Sequence, residues 1–515
     1  METNSVAPLI AIAIPVLAAA LIYFTRARPN VREACSVAAA ALQLVVVLWM
    51  VGPILDGETL HFTISSFIPQ VAIALRVDAL GLLFAATASF GWLLTTIYSI
   101  GYLRSLGSSS QTRYYAAFAI ALAATVGIAF SANLVTLYLF YEGLTFITYP
   151  LVTHAQTEEA FAAGKRYLQY HLGTSVAFLL PAIIVTFALS DTFDFRSGGV
   201  FAADTDSTGL IIAYVLFVAG ASKAAIMPLH VWLPGAMVAP VPVSALLHAV
   251  AVVNAGVFLM LRVILDVFGV ALIDDLGLGI ATAVFVSFTV VLATVYAYRV
   301  DSLKAVLAYS TISHLSLMIL AVALLDRQAM TGGIMHLVNH SLAKITLFFC
   351  AGSILVATGK TNISELGGIG RQLPWTMGAF AVGALSIVGL PPTAGFVTKY
   401  YIAIGIIDAK YVPFLLVLFL STLVSAAYYL RILRAAFFET SSAPDVAGRP
   451  PGVESSGAAA GGSVDHVPAE REGVALRSSG LHRFIVAPLV VTAALSLAIG
   501  IYPSFVLELV EAALP

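Results

Sequence analysis

Long apolar stretches separated by short polar loops occupy most of the 515-residue chain. About 20 apolar residues in a helix are needed to cross the hydrocarbon core of a bilayer, and this rule predicts about fourteen membrane-spanning helices. Proline or glycine interrupts the seventh, eighth and twelfth of them. The pattern therefore predicts an all-α polytopic membrane protein. The predicted spans are 6–25, 34–53, 79–101, 114–130, 132–153, 168–189, 209–231, 241–265, 278–298, 303–324, 331–357, 374–405, 411–436 and 484–505.

The composition is that of a chain surrounded largely by lipid. Hydrophobic residues make up 60% of the sequence and charged residues only 10%, whereas roughly 25% of an average soluble domain is charged. A net charge of −2 provides no general attraction to nucleic acid, so no nucleic-acid partner is expected. Cys35 and Cys350 lie far apart and form no metal or haem motif, so neither a metal site nor another cofactor is expected.

Lysine and arginine are concentrated in alternate loops, and this asymmetry predicts the orientation. The loops after helices 1, 3, 5, 9, 11 and 13 carry most of them, including Arg26, Lys165 and Arg371. The positive-inside rule places these loops in the cytoplasm, with both termini outside a bacterial or archaeal inner membrane. The first apolar segment lacks a preceding basic stretch and is expected to be a retained helix. Residues 439–482 are rich in Ser, Gly, Ala and Pro, which predicts a flexible cytoplasmic loop.

Few charged residues remain inside the predicted spans. Lys304, Arg431 and Arg434 lie toward span ends and are counted with the loops. Apart from Arg262 near the end of helix eight, the others are Glu142 in helix five and the lysines Lys223, Lys344 and Lys399. A charge at the bilayer centre costs at least about 2.5–3.5 kcal/mol, so such groups persist where they are paired, hydrated or functional. An ion pair that only orients helices needs two members, and this set has more. Because burial favours a neutral lysine and a nearby carboxylate favours a charged one, movement of Glu142 could load and unload Lys223.

Histidines extend this set of buried groups. His336, His340 and Lys344 follow one another at four-residue spacing and therefore share one helix face. His248 and His314 also lie within predicted spans. His-x3-His is also a zinc-ligand spacing, but no third ligand is near in the sequence. A single helical histidine is most often a core residue with satisfied hydrogen bonds, but the number of polar positions in helices ten and eleven favours a proton relay.

Two interrupted helices place a lysine beside a proline. Lys223 precedes Pro228, and Lys399 follows Pro391 and Pro392. Prolines could simply kink these helices, but a kink does not explain the adjacent lysines. Broken helices at corresponding places in two halves indicate inverted repeats. The predicted parts are N-terminal helices 1–3 (1–110), a first five-helix repeat of helices 4–8 (111–270), a second of helices 9–13 (271–438), the loop (439–482) and a C-terminal helix (483–515).

Several motifs are similar to landmarks of a known family, the proton-conducting antiporter-like proteins. This family comprises the antiporter-like membrane subunits of respiratory complex I, their counterparts in membrane-bound hydrogenases, and the large subunits of Mrp-type cation/proton antiporters. The resemblance covers roughly residues 70–435. The similar motifs are Arg76-Val-Asp78-Ala-Leu-Gly, Phe140-Tyr-Glu142, Lys223-Ala-Ala-Ile-Met-Pro-Leu-His-Val-Trp-Leu-Pro, His336-Leu-Val-Asn-His340-Ser-Leu-Ala-Lys344 and Gly389-Leu-Pro-Pro-Thr-Ala-Gly-Phe.

The resemblance implies roles for individual residues. Glu142 and Lys223 match the family's modulating pair, and His248 matches a histidine of its broken helix eight. Lys344 and Lys399 match the lysines of helix eleven and of broken helix twelve. The implied relay residues are Glu142, Lys223, His248, His336, His340, Lys344 and Lys399, with helix breaks at Pro228, Pro391 and Pro392.

Other features of the sequence favour different branches of this family. Asn254 stands where many relatives have a lysine that connects the two halves, and where some have threonine. The sequence shows no long lateral helix like that of the largest complex I protein, and Lys399 replaces the glutamate of the middle one. Length and Lys399 resemble the D-type protein of Mrp antiporters, whereas the motif before His248 is closer to the largest type.

The resemblance implies a proton-translocating subunit of a multi-subunit Na+ or K+/proton antiporter. An alternative is a proton-pumping antiporter-like subunit of NADH-quinone oxidoreductase (complex I) or of a related membrane-bound hydrogenase. A third is a subunit that energises the import of another solute, such as inorganic carbon, with a soluble partner. In each case, the expected partners are other integral membrane subunits, protons, exchange cations and lipid.

Overall fold

The computed structural model describes residues 2–68, 71–439 and 480–514, so almost all of the predicted loop 439–482 lies outside the described residues. The strands are β1 Glu2–Asn4, β2 Thr59–Ile68 and β3 Val71–Val77. The helices are α1 Ala7–Phe24, α2 Pro29–Trp49, α3 Val51–Leu55, α4 Ala79–Ser105, α5 Gln111–Ala129, α6 Leu134–Val152, α7 Glu158–Thr174, α8 Leu180–Ser190, α9 Ser207–Gly220, α10 Trp232–Gly235, α11 Val241–Leu246, α12 Val252–Arg262, α13 Val270–Asp275, α14 Leu278–Arg299, α15 Leu303–Ala323, α16 Arg327–Thr358, α17 Ile369–Gln372, α18 Pro374–Val388, α19 Ala394–Asp408, α20 Pro413–Phe438, α21 Leu481–Ile501 and α22 Ser504–Ala512.

Twelve continuous helical stretches in the described part of the chain are long and apolar enough to cross a membrane. They correspond to twelve of the predicted spans. The other two predicted spans, 209–231 and 374–405, are interrupted, and each contains a shorter apolar helix. The predicted all-α polytopic membrane fold is therefore confirmed, while its division into two inverted repeats stays a prediction.

Both predicted breaks with an adjacent lysine are present. Helix α9 ends at Gly220, and one 3₁₀ turn and an irregular stretch separate it from α10. Helix α18 ends at Val388, and α19 begins five residues after Gly389. Pro228, Pro391 and Pro392 lie in these irregular stretches, where a residue without a backbone N–H interrupts no helical ladder.

The eighth span, also predicted to be interrupted, forms one continuous helical stretch, Val241–Phe268. Pro242 lies in its first turn, where the missing N–H has no helical partner to lose. The stretch instead widens into π turns at Leu247–Ala251 and Val263–Phe268. The prediction of an interruption in helix eight, and of a broken helix around His248, is therefore wrong.

A small sheet precedes α4 and was not predicted. Strand β2 pairs antiparallel with β3 and parallel with β1, in the order β1-β2-β3. Apolar residues alternate with polar ones at Leu60, Phe62 and Ile64, which is the period of a strand. This alternation was available in the sequence, but its segment is too short to stand out between long apolar spans.

Helix α16 occupies the interior of the described structure. It packs against α4, α11, α15, α18, α19 and α21, and nearly all of its residues are buried. A helix that is apolar around its circumference is typical of such a central position. Polar groups on α16 are therefore held inside protein rather than against lipid.

Candidate functional site

Lys223 lies in the 3₁₀ turn directly after α9, and its side chain is completely buried. Its Nζ donates a hydrogen bond to Thr145 Oγ1 at 2.5 Å and lies 3.6 Å from the centroid of the Tyr141 ring. A ring face attracts an ammonium ion, and both partners lie on α6. The ammonium group is thus held by a hydroxyl and an aromatic ring beside Glu142.

Glu142 shares the same patch of α6 but makes different contacts. Its Oε1 accepts a hydrogen bond from Ser175 Oγ at 2.6 Å, and its buried Oε2 has no hydrogen-bond partner among the described residues. No ion pair joins Glu142 to Lys223 in the described part of the chain. Residues three apart on a helix lie on one face. A local movement of the Lys223 side chain would therefore be enough to replace its bond to Thr145 by a bond to Glu142.

The hydroxyl of Ser222, the residue before Lys223, forms the centre of a second group of contacts. It accepts a hydrogen bond from Thr174 Oγ1 at 2.6 Å, and His171 Nδ1 lies 3.3 Å from it. The carbonyl oxygen of Ser222 accepts a hydrogen bond from Trp232 Nε1 at 3.0 Å. Helix α7 and α10 therefore fix the backbone of the break from both sides.

His248 lies in the first π turn of the Val241–Phe268 stretch and is buried. Its ring centroid is 6.2 Å from that of Trp232, and neither ring nitrogen has a hydrogen-bond partner among the residues described. Nearby, Lys304 Nζ donates a hydrogen bond to the carbonyl oxygen of Ala239 at 2.7 Å. Both nitrogens of His248 remain available to water or to a transferred proton.

One polar contact links the eighth span, which carries His248, to helix α16. Asn254 Nδ2 donates a hydrogen bond to Ser341 Oγ at 2.9 Å, and both side chains are completely buried. The Oδ1 atom of Asn254 has no partner within the described ranges. Ser341 is adjacent to His340 on α16, so the contact ends directly beside the predicted relay.

Three histidines form a compact buried cluster on α15 and α16. His314 Nδ1 lies 2.9 Å from His336 Nε2, and His336 Nδ1 lies 2.9 Å from Thr398 Oγ1. The ring of His340 is 6.2 Å from His314 and 6.4 Å from His336, measured between centroids. Thr398 directly precedes Lys399. The cluster therefore extends toward Lys399 through the Thr398 hydroxyl.

Lys344 lies on α16 one turn after His340 and is completely buried. Its Nζ donates hydrogen bonds to the carbonyl oxygen of Leu307 at 3.1 Å and to Tyr429 Oη at 3.4 Å. Tyr429 Oη is in turn 3.2 Å from Ser310 Oγ. Neutral oxygen atoms hold this lysine, as they hold Lys223.

Lys399 lies in the second turn of α19 and reaches back across the second break. Its Nζ donates hydrogen bonds to the carbonyl oxygen of Val388 at 2.9 Å and to Thr422 Oγ1 at 2.8 Å. Val388 ends α18, so its carbonyl has no helical donor. Gly389 has φ +87°, and a Cβ there would lie 2.7 Å from Lys399 Cδ. Glycine is therefore required both for the turn and for the approach of the lysine side chain.

An ion cluster lies at the beginning of α4, separate from these groups. Arg262 makes two hydrogen bonds of 2.7 Å to the Asp78 carboxylate and one of 2.8 Å to Asp266. Burial alone raises the pKa of Asp78, but Arg262, Arg76 and the hydrogen bond from the Gly81 N–H outweigh it and lower the pKa to about 2. The carboxylate stays charged at neutral pH and holds Arg262 in place.

In the described ranges, no three His, Cys, Asp or Glu side chains are arranged to hold a metal ion. Two of the close contacts of His336 are made to a histidine nitrogen and a threonine hydroxyl instead. Both ring nitrogens of His336 are therefore engaged in contacts within the protein.

Comparison with known families adds independent information. The family model described as NADH:quinone oxidoreductase/Mrp antiporter, TM matches residues 131–428, which is more than half of the chain. The chain belongs to this family. The matched range of this family member includes every predicted relay residue, from Glu142 to Lys399.

Individual relatives come from both branches of the NADH:quinone oxidoreductase/Mrp antiporter family. NADH-quinone oxidoreductase subunit N of Desulforudis audaxviator is 32% identical over 390 residues, which cover 74% of this chain and 76% of that protein. The A/B-type component of a probable K+/H+ antiporter of Rhizobium meliloti is 29% identical over 436 residues, which cover 82% of this chain and 42% of that protein. A solved chain of the Mrp complex from Dietzia sp. has the same fold, with a TM-score of 0.83 at 22% identity over 99% of this chain and 96% of that one.

The sequence analysis did not single out all the groups that the structure brings together. Thr145, Ser175 and Tyr429 were not predicted, because a hydroxyl in an apolar helix carries no sequence signal of its partner. His171 lies inside the predicted span 168–189, so a histidine within a spanning helix was the signal that could have identified it. Lys304 was counted as a loop charge because it is the second residue of α15.

Proposed function

We propose that this chain is a proton-translocating subunit of a multi-subunit membrane complex, in which protons move along the buried Lys/Glu/His side chains. The first candidate complex is a monovalent cation/proton antiporter that exchanges Na+ or K+ for protons. The alternative is an antiporter-like, proton-pumping role in NADH-quinone oxidoreductase or a related membrane-bound hydrogenase. Both assign the same chemistry to this chain and differ in its partner subunits.

The observation that carries the proposal is the row of buried ionisable groups that crosses both broken helices. Lys223 and Lys344 are completely inaccessible, and Lys399 is 8% exposed. None of the three lysines forms an ion pair within the described residues. Unpaired buried ammonium groups are costly and rarely kept for structure alone. Proton carriage gives each of them a reason to be there, since a neutral lysine removes the cost.

In the first half, Glu142 acts as the switch. With Glu142 bonded to Ser175, the ammonium group of Lys223 contacts Thr145 and Tyr141 and forms no ion pair among the described residues. Rotation of the carboxylate toward Lys223 stabilises the charged lysine, and its return favours release of the proton. A conformational change in a neighbouring membrane protein that moves Glu142 would thereby raise or lower the proton affinity of Lys223.

In the second half, the histidines provide a route between two lysines. A neutral imidazole accepts a proton at one nitrogen and releases another from the second nitrogen. His336 is bonded at both nitrogens, to His314 and to Thr398, so this exchange has a donor and an acceptor in place. Water is needed around His340, whose ring nitrogens have no protein partner among the described residues.

Passage between the halves depends on Asn254. A neutral amide hydrogen-bonds water and hydroxyl groups but, unlike a lysine, does not carry charge. Its free Oδ1 and its bond to Ser341 support a hydrated connection from His248 to His340. We therefore assign the step between the halves to water ordered by Asn254.

Partners and orientation follow from the same proposal. The exposed faces of α14 and α20 carry large apolar side chains such as Phe288 and Phe419, which suit lipid or neighbouring membrane subunits. Solved relatives are chains of multi-subunit membrane complexes. The positive-inside pattern supports both termini outside a bacterial or archaeal cell membrane.

The decisive test replaces Glu142 by glutamine in the assembled complex. Glutamine keeps an acceptor for Ser175 but removes the charge that switches Lys223, so we expect proton translocation to fall at least about tenfold, the effect of a one-unit change in proton affinity. Proton flux is measured in proteoliposomes at equal levels of assembled complex. Glu158→Gln, at the exposed start of α7, is the control and should keep wild-type flux. Near wild-type flux in Glu142→Gln would refute the proposal.

A second measurement separates the two candidate complexes. In an antiporter, an imposed Na+ or K+ gradient drives proton movement without a quinone or another electron acceptor. In a redox-driven complex, proton movement appears only on electron transfer. The purified complex in proteoliposomes is tested with each driving force in turn, and Glu142→Gln should abolish the response to whichever is active.

A further inference from the structure

His171 is a fully buried histidine of α7 that has no part in the relay described above. Its Nδ1 lies 3.3 Å from Ser222 Oγ, and its ring packs edge-on against Tyr167 and Trp232, with centroids 4.4 and 4.3 Å away. Its Nε2 has no hydrogen-bond partner in the described part of the chain. One ring nitrogen therefore contacts the residue before Lys223, and the other is available to exchange a proton.

Helix α7 and the π turn after it contact Glu142 and the residue before Lys223. Ser175 Oγ donates a hydrogen bond to Glu142, and Thr174 Oγ1 donates one to Ser222. The helix widens into a π turn directly after Thr174, and such turns occur frequently at functional sites. His171 thus lies about one helical turn before Thr174 and Ser175, the residues that contact Ser222 and Glu142.

The indole ring of Trp232 lies beside both His171 and His248. Its centroid is 4.3 Å from the His171 ring and 6.2 Å from the His248 ring. The bond from Nε1 to the Ser222 carbonyl fixes the indole in this position. Two buried histidines with free ring nitrogens therefore lie on one aromatic side chain next to Lys223.

Titratable groups lie on the elements that surround His171. Tyr167 on its own helix contacts its ring, and Lys223 at the break and His248 in the eighth span are its charged or chargeable neighbours. Glu142 on α6 bonds to Ser175, one helical turn after His171. The protonation of His171 would therefore respond to the charge on Lys223.

We propose that His171 is an additional proton station, which exchanges protons between Lys223 and His248. The proposal rests on the proposed function of the chain. A neutral imidazole accepts a proton at Nε2 while Nδ1 bonds to the Ser222 hydroxyl, and it later releases the proton from Nε2. N–H bonds form and break at the lysine amine and at the two imidazoles, which supply and receive the proton. Where these groups do not touch, a bridging water takes one proton at its oxygen and gives up another.

Packing alone gives a weaker explanation of His171. A phenylalanine would fill the space between Tyr167 and Trp232 without a buried nitrogen. Leaving a buried polar atom without a hydrogen bond costs about 1–3 kcal/mol. A relay residue must keep such an atom available, because a permanently bonded nitrogen cannot receive a proton.

The test is His171→Gln in the assembled complex. Glutamine can still bond to Ser222 but does not take up a proton, so a structural role would be preserved and a relay role would not. We expect the proton translocation rate per assembled complex to fall at least tenfold and its dependence on pH between 5 and 9 to change shape. The control is His61→Gln on β2, outside the spans, which should keep the wild-type rate and pH profile.

Each outcome decides the proposal. A His171→Gln rate within twofold of wild type, with the same pH profile, would overturn it. If this variant does not assemble, His171→Asn is measured in its place, and failure of both to assemble would make His171 a packing residue and also overturn it. Glu142→Gln is measured in parallel: if it is inactive while His171→Gln is normal, only this inference fails, and if both are active, the proposed function fails.

Discussion

Each buried lysine of the row is held by neutral oxygen atoms. Lys223 bonds to a hydroxyl, and Lys344 and Lys399 each bond to a backbone carbonyl and a hydroxyl. Neutral acceptors stabilise an ammonium ion less than a carboxylate does. At the scale of single residues, these contacts support the proposal that a proton leaves these lysines as well as binds them.

Lys344 offers a direct test of this arrangement. Arginine keeps the positive charge but cannot release its proton at any working pH. We expect both Lys344→Arg and Lys344→Ala to lower proton translocation at least about tenfold, equivalent to about 1.4 kcal/mol in the barrier. Flux is measured in proteoliposomes at matched amounts of assembled complex.

The matched control for Lys344 is Lys165→Arg on the exposed side of α7, which should leave the flux unchanged. A structural countercharge would give a different pattern, with an active arginine variant and an inactive alanine variant. That pattern would remove Lys344 from the relay and leave the transport role with Glu142 and Lys223.

At the scale of elements, the apolar pattern predicted the spanning helices, which depend on the length of an apolar run. It failed for features that depend on local packing. A 20-residue apolar run has few alternatives to a spanning helix, so most spans were found. Pro242 suggested a break in helix eight, but its effect depends on its place within the first turn, which the pattern does not fix. The three-stranded sheet was missed because short strands give weaker signals than the neighbouring helices.

The packing of α12 against the first break makes a second prediction. A Cβ at Gly256 would lie 2.1 Å from the Ala224 nitrogen and 2.6 Å from the Lys223 carbonyl carbon. Backbone atoms cannot move aside as a side-chain end can, so Gly256→Ala should destabilise the fold by about 1–3 kcal/mol. The shift of the break should also lower proton translocation. Thermal unfolding of the purified complex and flux are the measurements.

Gly378 on α18 provides the control, because a Cβ there would meet nothing within 4 Å. Gly378→Ala should be neutral or stabilise the helix by about 0.5–1 kcal/mol, since alanine restricts the unfolded chain more than glycine. Equal stability of the two variants would show that α12 does not hold the break in place.

At the scale of the whole molecule, the sequence contained the members of the site but not their pairing. Spacing along α16 placed His336, His340 and Lys344 on one face, because helical periodicity is local. It could not show that Glu142 bonds to Ser175 rather than to Lys223, since this depends on how separate helices pack. The contact between Asn254 and Ser341 is likewise a product of tertiary structure.

The ion cluster at Arg262 joins the sheet, α4 and the eighth span. Its side chain is 2% exposed and makes two bonds to Asp78. Removing one partner of a buried pair leaves an uncompensated charge and costs about 3–5 kcal/mol, with a smaller effect here because Asp78 is 21% exposed. We expect Arg262→Gln to lower the apparent melting temperature of the purified complex by several degrees.

The comparison for Arg262 is the exposed pair of Arg434 and Glu439, where the arginine side chain is 77% exposed. Surface pairs contribute about 0–1 kcal/mol, so Arg434→Gln should melt within about one degree of wild type. If Arg262→Gln melts at the wild-type temperature too, the cluster does not tie these elements together.

The depth of the row has an electrical consequence. Glu142 lies near the middle of the 19-residue α6, Lys344 near the middle of the 32-residue α16, and Lys223 beside a break in a spanning helix. In the proposed relay, these three groups lie at similar distances along their spans, so a proton that moves between them crosses little of the membrane voltage. The work of about 2.3 kcal/mol per 100 mV for a full crossing falls on entry to the row and exit from it. Voltage should thus act on those two steps and leave transfer along the row nearly unaffected.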